Sequence, residues 1–237
     1  MKPLFRSNGS YNCRIIATAP LVYFPMDEVS GSVAKNWGNL GIAANGSYTG
    51  ADLHSAPGPK GSGAPFFDGV NDFGSMYSAA FCSAFDAIGG ECSIGCWCKV
   101  YGAAAWTESV EKEVMRISSG LPYSRVLYQR INSGNDLQTR WDGGGVLLAK
   151  TASDKPLDWF HILMTVSLSA DAMRFYVNGV QSGTTGTGVQ AWDGSTNGAA
   201  IASCAHASPS LPWHGWLAHL AIWNRALSAD EISLVSQ

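Results

Sequence analysis

A chain of 237 residues with 46% hydrophobic residues, 14% charged residues and 27 glycines has the make-up of a turn-rich globular domain, neither disordered nor fibrous. The formal net charge of −3 and the lack of a Lys/Arg cluster exclude a general electrostatic attraction to nucleic acid. No apolar run approaches the roughly 18 residues of a membrane-spanning helix.

Residues 1–19 read as an N-terminal arm, polar around Asn8-Gly9 and without a clear hydrophobic period. Such an arm is either frayed or docked on a neighbour. Lys2 and Arg6 are not followed by an apolar stretch, so no signal peptide is expected. Residues 21–26 form the first strand. Residues 29–64, rich in Gly, Ser, Asn and Pro, read as a long loop region with at most short strands. Residues 65–69 and 73–77 flank a tight bend at Val70-Asn71-Asp72. Residues 81–88 fit either a helical turn or a packed loop.

Residues 92–100 form a strand centred on Trp97. Cys92, Cys96 and Cys98 share one face of it with Ile94 and Val100, which makes them small buried hydrophobes. No C-x-x-C pair points to zinc. A loop over 101–112 carries Trp106. Residues 114–118, 124–130 and 136–141 alternate as antiparallel strands, and 146–150 returns after the Asp142–Gly145 turn. Residues 159–168 and 172–177 form a hairpin, and Asn178-Gly179 is the dipeptide of a type I′ turn. A Gly/Thr/Ser loop over 182–198 carries Trp192, and 199–204 is a short strand.

The last stretch, residues 213–232 (WHGWLAHLAIWNRALSADEI), is apolar on both sides. In regular alternation Leu217, His219, Ala221 and Trp223 face one way, and Trp216, Ala218, Leu220 and Ile222 the other. That pattern predicts a central strand covered on both faces. Ser228 with Glu231 three residues on forms a capping box for a short C-terminal helix.

Residues 215–232, G-x-L-x-x-L-x-I-W-N-R-A-L-S-A-D-E-I, resemble the closing signature of the laminin-G-like, concanavalin-A-like jelly rolls. Four further segments match that family in order: Tyr23-Phe24-Pro25-Met26-Asp27-Glu28, Phe67-Asp68-Gly69-Val70-Asn71-Asp72, Ser93-Ile94-Gly95-Cys96-Trp97-Cys98 and Phe175-Tyr176-Val177-Asn178-Gly179-Val180. The resemblance implies an all-β fold, a two-sheet antiparallel jelly-roll β-sandwich with a short C-terminal helix. A LamG-like domain over 20–237 would follow the arm over 1–19. The fold is shared by lectins, adhesins, glycosidases and structural modules, so it names no function by itself. The resemblance also raises calcium as the one candidate cofactor, with Asp68, Asn71 and Asp72 as oxygen donors. Turn chemistry is the alternative role for Asp68 and Asp72. Where relatives carry acids in the closing strand, this chain has Ala218 and His219.

Catalytic patterns are not found. The E-x-D-x-x-E pattern of the glucanases on this fold is missing, and Glu108, Glu111 and Glu113 read as a solvated loop edge. His161 and His219 read as structural, and no G-x-S-x-G elbow or phosphate-binding loop is present. Aromatic residues are abundant instead, with nine Trp and eight Tyr. Trp97, Trp159, Trp216 and Trp223 fit core strand positions, while Trp37, Trp106, Trp141, Trp192 and Trp213 fall in or beside loops. Trp106, Trp141 with Asp142, and Trp192 with Asp193 are the candidate ligand-binding residues, each ring either stacking on a sugar or capping the sandwich.

The expected protein is therefore non-catalytic. One reading is an accessory decoration or tail protein of a phage-like particle, docked on protein partners through its arm and loops. The other is a lectin-type module that binds glycans. A virion or an extracellular surface is the expected location, with neither nucleic acid nor membrane as partner.

Overall fold

The computed structural model describes residues 11–119 and 125–237. Along the chain, α1 (Tyr11–Ala17) precedes β1 (Val22–Phe24), β2 (Val33–Ala34), β3 (Gly46–Thr49), β4 (Asp52–Pro57), β5 (Gly63–Asp68) and β6 (Phe73–Ser75). Then come α2 (Ala79–Asp86), β7 (Glu91–Val100), β8 (Lys112–Ser119), β9 (Arg125–Ile131), β10 (Leu137–Gly143) and β11 (Val146–Ala152). The chain continues through β12 (Phe160–Ser167), β13 (Ala172–Val177), β14 (Val180–Gly186), β15 (Thr196–Ile201) and β16 (His214–Trp223), and closes with α3 (Ala229–Val235). The ambiguous 81–88 segment is thus helical in its first part, with Ser78 Oγ accepting from Phe81 N at 3.1 Å as its cap.

The strands make two antiparallel sheets, the expected sandwich. The first runs β14-β13-β12-β7-β16-β5-β4, with β1 also paired to β16; the second runs β11-β10-β9-β8-β15-β6-β3-β2. The late strand β16 is central, as its two apolar faces predict, lying between β7 and β5. Between the sheets pack Cys92, Ile94, Cys96, Cys98 and Val100 of β7, together with Leu217, Leu220 and Ile222 of β16. Asn178 and Gly179 have φ of 50° and 79°, the left-handed pair that a type I′ turn requires.

Regular alternation does not hold along β16. His219 stands at φ 52°, and the pairing with β7 shifts between Ala218 and Ala221. This is a β-bulge, and it resets the facing of every residue beyond it. Ala218, Ala221 and Trp223 all lie on the outer face of the first sheet, whereas Leu217, Leu220 and Ile222 lie inside.

The arm also departs from expectation. Its residues 1–10 lie outside the described residues, but α1 packs on the chain's own first sheet. Tyr11 and Ile15, one helical turn apart, are buried with Trp97, Ala221, Trp223 and the α3 residues Ile232 and Val235. Trp97 Nε1 donates to Tyr11 Oη at 2.9 Å, Tyr11 Oη donates to the Val235 carbonyl, and Trp223 Nε1 donates to Thr18 Oγ1 at 2.8 Å. The two helices therefore roof one half of the outer face of the first sheet and leave the other half open.

Candidate functional site

Of the two roles open to the loop aromatics, Trp106, Trp141 and Trp192 take the capping one. Trp106, Trp141 and Trp192 expose only 4%, 0% and 4% of their surface. Trp106 Nε1 donates to Pro156 O at 3.2 Å, Trp141 Nε1 to Gln190 O at 3.0 Å, and Trp192 Nε1 to Asp86 Oδ1 at 3.2 Å. The rings close the sandwich, because a buried indole satisfies its N–H while filling a large volume. Asp142 is buried and accepts from Arg140 Nη2 at 2.9 Å; Asp193 is exposed, but it lies beside a ring that has no free face. Trp213 is buried as well, and Trp37 is 46% exposed.

Two tryptophans read as core are instead the half-buried ones. Trp159 and Trp216 line an open cleft of about 390 Å³ on the uncovered half of the first sheet, with Pro57, Lys99 and Asp158. Strand pairing explains how they meet. Phe66 of β5, Trp216 of β16 and Lys99 of β7 are cross-strand partners in one row on the outer face. Trp159 ends the row just before β12, whose Phe160 pairs with Cys98. Gly215 allows the close approach: at φ 147°, a Cβ there would lie 2.1 Å from Lys99 O.

Both indoles are held by their edges. Trp216 Nε1 donates to Ser55 Oγ at 3.0 Å, and Trp159 Nε1 donates to Pro57 O at 3.2 Å. Lys99 Nζ lies 3.1 Å from Asp158 Oδ1 and 6.0 Å from the Trp216 ring centre. The Trp159 N–H and then Lys99 hold the Asp158 carboxyl below its usual range. The cleft thus offers flat apolar faces, one cation and one carboxylate, a set suited to a ligand with an apolar face and peripheral hydroxyls.

Beyond Trp216 the aromatic surface continues. Phe66 lies 4.8 Å from Trp216 between ring centres, Tyr101 stacks on His214 at 4.5 Å, and Tyr101 lies 6.2 Å from Trp216. Alternation along β7, with Lys99 and Tyr101 facing away from the core cysteines, is the sequence signal that locates this strip.

Asp68, Asn71 and Asp72 form a hydrogen-bonded turn. Asp68 Oδ1 accepts from the backbone of Val70, Asn71 and Asp72 at 2.8, 3.1 and 3.4 Å, and Asp72 Oδ2 accepts from Asp68 N at 2.9 Å. Burial opposes ionisation of Asp68, but these amides outweigh it and hold its carboxyl below the usual range. These two carboxylate oxygens face N–H dipoles and serve as turn acceptors, the alternative role the sequence allows. Among the described residues, no group of three or more His, Cys, Asp or Glu side chains gathers in one place.

In the acidic edge at 108–113, Glu108 is exposed as expected, but Glu113 is not. Glu113 is fully buried, paired to Arg116, and its carboxyl is pushed up to about 7 by burial, against the pull of Arg116 and Arg130. Glu111 pairs with Arg130. His161 and His219 are buried, as their structural reading requires. His161 Nδ1 lies 3.0 Å from Ser236 Oγ and His219 Nδ1 lies 2.8 Å from Tyr23 Oη.

Comparison with known proteins agrees with this fold. The family model for the concanavalin A-like lectin/glucanases superfamily matches residues 77–233. A search of curated protein sequences returns no match. Among solved structures, the receptor-binding domain of botulinum neurotoxin C/D mosaic serotype superposes with a TM-score of 0.65 at 11% identity, over 93% of this chain and 51% of that one. This chain therefore spans about half the length of the toxin-domain chains it matches. Domain 4 of an extracellular GH43 arabinanase from Geobacillus stearothermophilus, solved with arabinotriose, gives a TM-score of 0.63 at 15% identity, over 92% and 98% of the two chains. The CBM40 of the Ruminococcus gnavus IT-sialidase gives 0.58 at 11% identity, over 73% and 96%.

Proposed function

Since the chain belongs to the concanavalin A-like lectin/glucanases superfamily, we propose that it is a non-catalytic binding module that holds a sugar ring in the cleft between Trp159 and Trp216. The observation that carries this reading is the pair of edge-anchored indoles lining an open cleft beside Lys99 and Asp158. Aromatic faces stack on the C–H face of a pyranose or furanose, while an ammonium and a carboxylate reach its hydroxyls. Hydrolysis of a glycosidic bond needs two flanking carboxyl groups, and Asp158 is the one carboxylate lining this cleft. The arabinanase domain was solved with arabinotriose, and the toxin domain is named for receptor binding, which supports a binding role at the level of the fold.

Docking on a phage-like particle through the arm has less support. Tyr11 and Ile15, the buried residues of α1, are committed to the chain's own sheet rather than to a partner. Among the described residues, no helix is long and apolar enough to cross a membrane.

Tryptophan fluorescence and NMR titration with arabinotriose, cellotriose and maltotriose test the proposal. At least one should bind, and Trp159→Ala and Trp216→Ala should each weaken it about tenfold or more. Trp37→Ala, outside the cleft, should not. Release of reducing sugar from any of these would overturn the non-catalytic reading, and an equal loss in the Trp37 variant would overturn the site.

A further inference from the structure

A second, smaller cleft of about 220 Å³ is lined by Tyr101, Ala105, Glu108, Lys112 and His214. It repeats the chemistry of the first. A flat aromatic surface, here the Tyr101–His214 stack, stands beside a lysine matched to a carboxylate, with Lys112 Nζ 2.7 Å from Glu108 Oε2. Lys112 is almost wholly buried, so its ammonium is fixed in place. Tyr101 is 62% exposed, and its ring centre lies 6.2 Å from that of Trp216 in the first cleft. Its backbone N donates to His214 O at 3.1 Å, two residues along β7 and β16 from the Lys99–Trp216 pair. That step is about 7 Å along a strand, of the order of one sugar ring.

We infer that the two clefts are successive subsites for one uncharged, linear oligosaccharide of at least two rings, laid across β7 from Trp159 to the Tyr101–His214 stack. This rests on the proposed sugar-binding role and adds the ligand's class. Length follows from the duplicated aromatic platform. Lack of charge follows from the pairing: Lys99 is matched to Asp158 and Lys112 to Glu108. The carboxylate of a uronic acid or sialic acid would meet, beside each ammonium, a protein carboxylate of its own sign, so it gains little net attraction. Hydroxyl groups accept from the ammonium and donate to the carboxylate without breaking either pair.

Isothermal titration with cello-, xylo- and malto-oligosaccharides, from the monosaccharide to the hexasaccharide, reads this out, with oligogalacturonides as the charged comparison. For the neutral series that binds, affinity should rise about tenfold from one ring to three and then level off, since one added aromatic platform is worth about that much. Tyr101→Ala should flatten the dependence on chain length, and Glu108→Gln should reduce it. Trp216→Ala should lower affinity at every length. Affinity independent of length, a Tyr101 variant with the wild-type slope, or tighter binding of oligogalacturonides would overturn the two-subsite inference and leave single-ring binding standing. Failure of every sugar to bind would overturn both. So would sedimentation showing that this strip is buried by self-association which Tyr101→Ala abolishes.

Discussion

Tyr101 and His214 lie in nearly parallel planes, 10° apart with ring centres 4.5 Å apart, on adjacent strands of the first sheet. Neither ring supports the core beneath it. An aromatic pair of this kind contributes about 1 kcal/mol beyond its area, so Tyr101→Ala should cost about that much. Urea denaturation would measure it. A loss several times larger would mean that the ring is structural and that the strip is not a surface built for a ligand.

The two buried histidines should make the fold acid-sensitive. Burial, aided by neighbouring His219 and Lys60, pulls His161 down to about 3, and burial pulls His219 down to about 4. Their unfolded value is about 6.5. Below about pH 6.5 the unfolded chain takes up protons that the folded chain refuses, so stability is full above that pH and falls toward pH 4 and 3. Each histidine contributes up to about 1.4 kcal/mol per pH unit. Glu113 works in the opposite sense. Raised to about 7, it favours the fold fully below its unfolded value and less as pH rises through 7. Histidine ring NMR separates these effects, because neither His161 nor His219 should titrate above about pH 5. A ring titrating near its free value would show that the helical roof does not seal it.

Closure of the C-terminal helix depends on one charged cluster. Ser228 Oγ accepts from Glu231 N at 3.3 Å, Glu231 Oε2 accepts from Ser228 N at 3.0 Å, and Arg225 grips both Glu231 oxygens at 2.7 and 2.6 Å. Ser228→Ala should lower stability by about 1 kcal/mol. Hydrogen bonding from Arg225 brings the Glu231 carboxyl down to about 2. Its stabilisation is present above its unfolded value and disappears as pH falls from about 4.5 toward 2. Denaturation of Glu231→Gln should show a shallower acid limb than the wild type, and an unchanged limb would place the stabilisation elsewhere.

Thiol chemistry should divide the six cysteines. Cys92, Cys96 and Cys98 are sealed between the sheets, where burial pushes the Cys92 and Cys98 thiols up. Ellman's reagent should leave these three untouched in the native protein and modify all six in denaturant. Fewer than six in denaturant would reveal a disulfide.

The Asp68 turn should be indifferent to calcium. Asp68→Ala removes an acceptor shared by three backbone amides and should cost about 1–2 kcal/mol. Millimolar calcium should leave the Tm of the wild type unchanged, and a rise with calcium that Asp68→Ala abolishes would restore a metal role.

Local pattern carried much of the architecture. Alternation marked β7, β12 and β13, Asn178-Gly179 marked its hairpin, and Ser228 with Glu231 marked the last helix. These features depend on residues close in sequence, so they can be read there. The arm was harder, because a helix of seven residues shows only one recurrence, Tyr11 to Ile15.

The candidate site was not legible in the same way. Trp141 and Trp216 each sit beside turn residues or glycines, and nothing in their neighbourhoods tells a sandwich cap from an open platform. What separates them is coverage by distant parts of the chain. Trp141 meets Trp192 and the Gln190 carbonyl, whereas Trp216 lies just beyond the roof of α1 and α3.

By itself the sequence determined that the chain forms short antiparallel strands with a doubly covered final strand, because period-two alternation and turn residues are local properties. Only the tertiary structure decided which half of the outer face stays open and which tryptophans reach it. The reason is physical: a strand's alternation defines two faces, but the bulge at His219 reassigns them midway. Helices roughly 200 residues apart in sequence then determine how much of the outer face meets water.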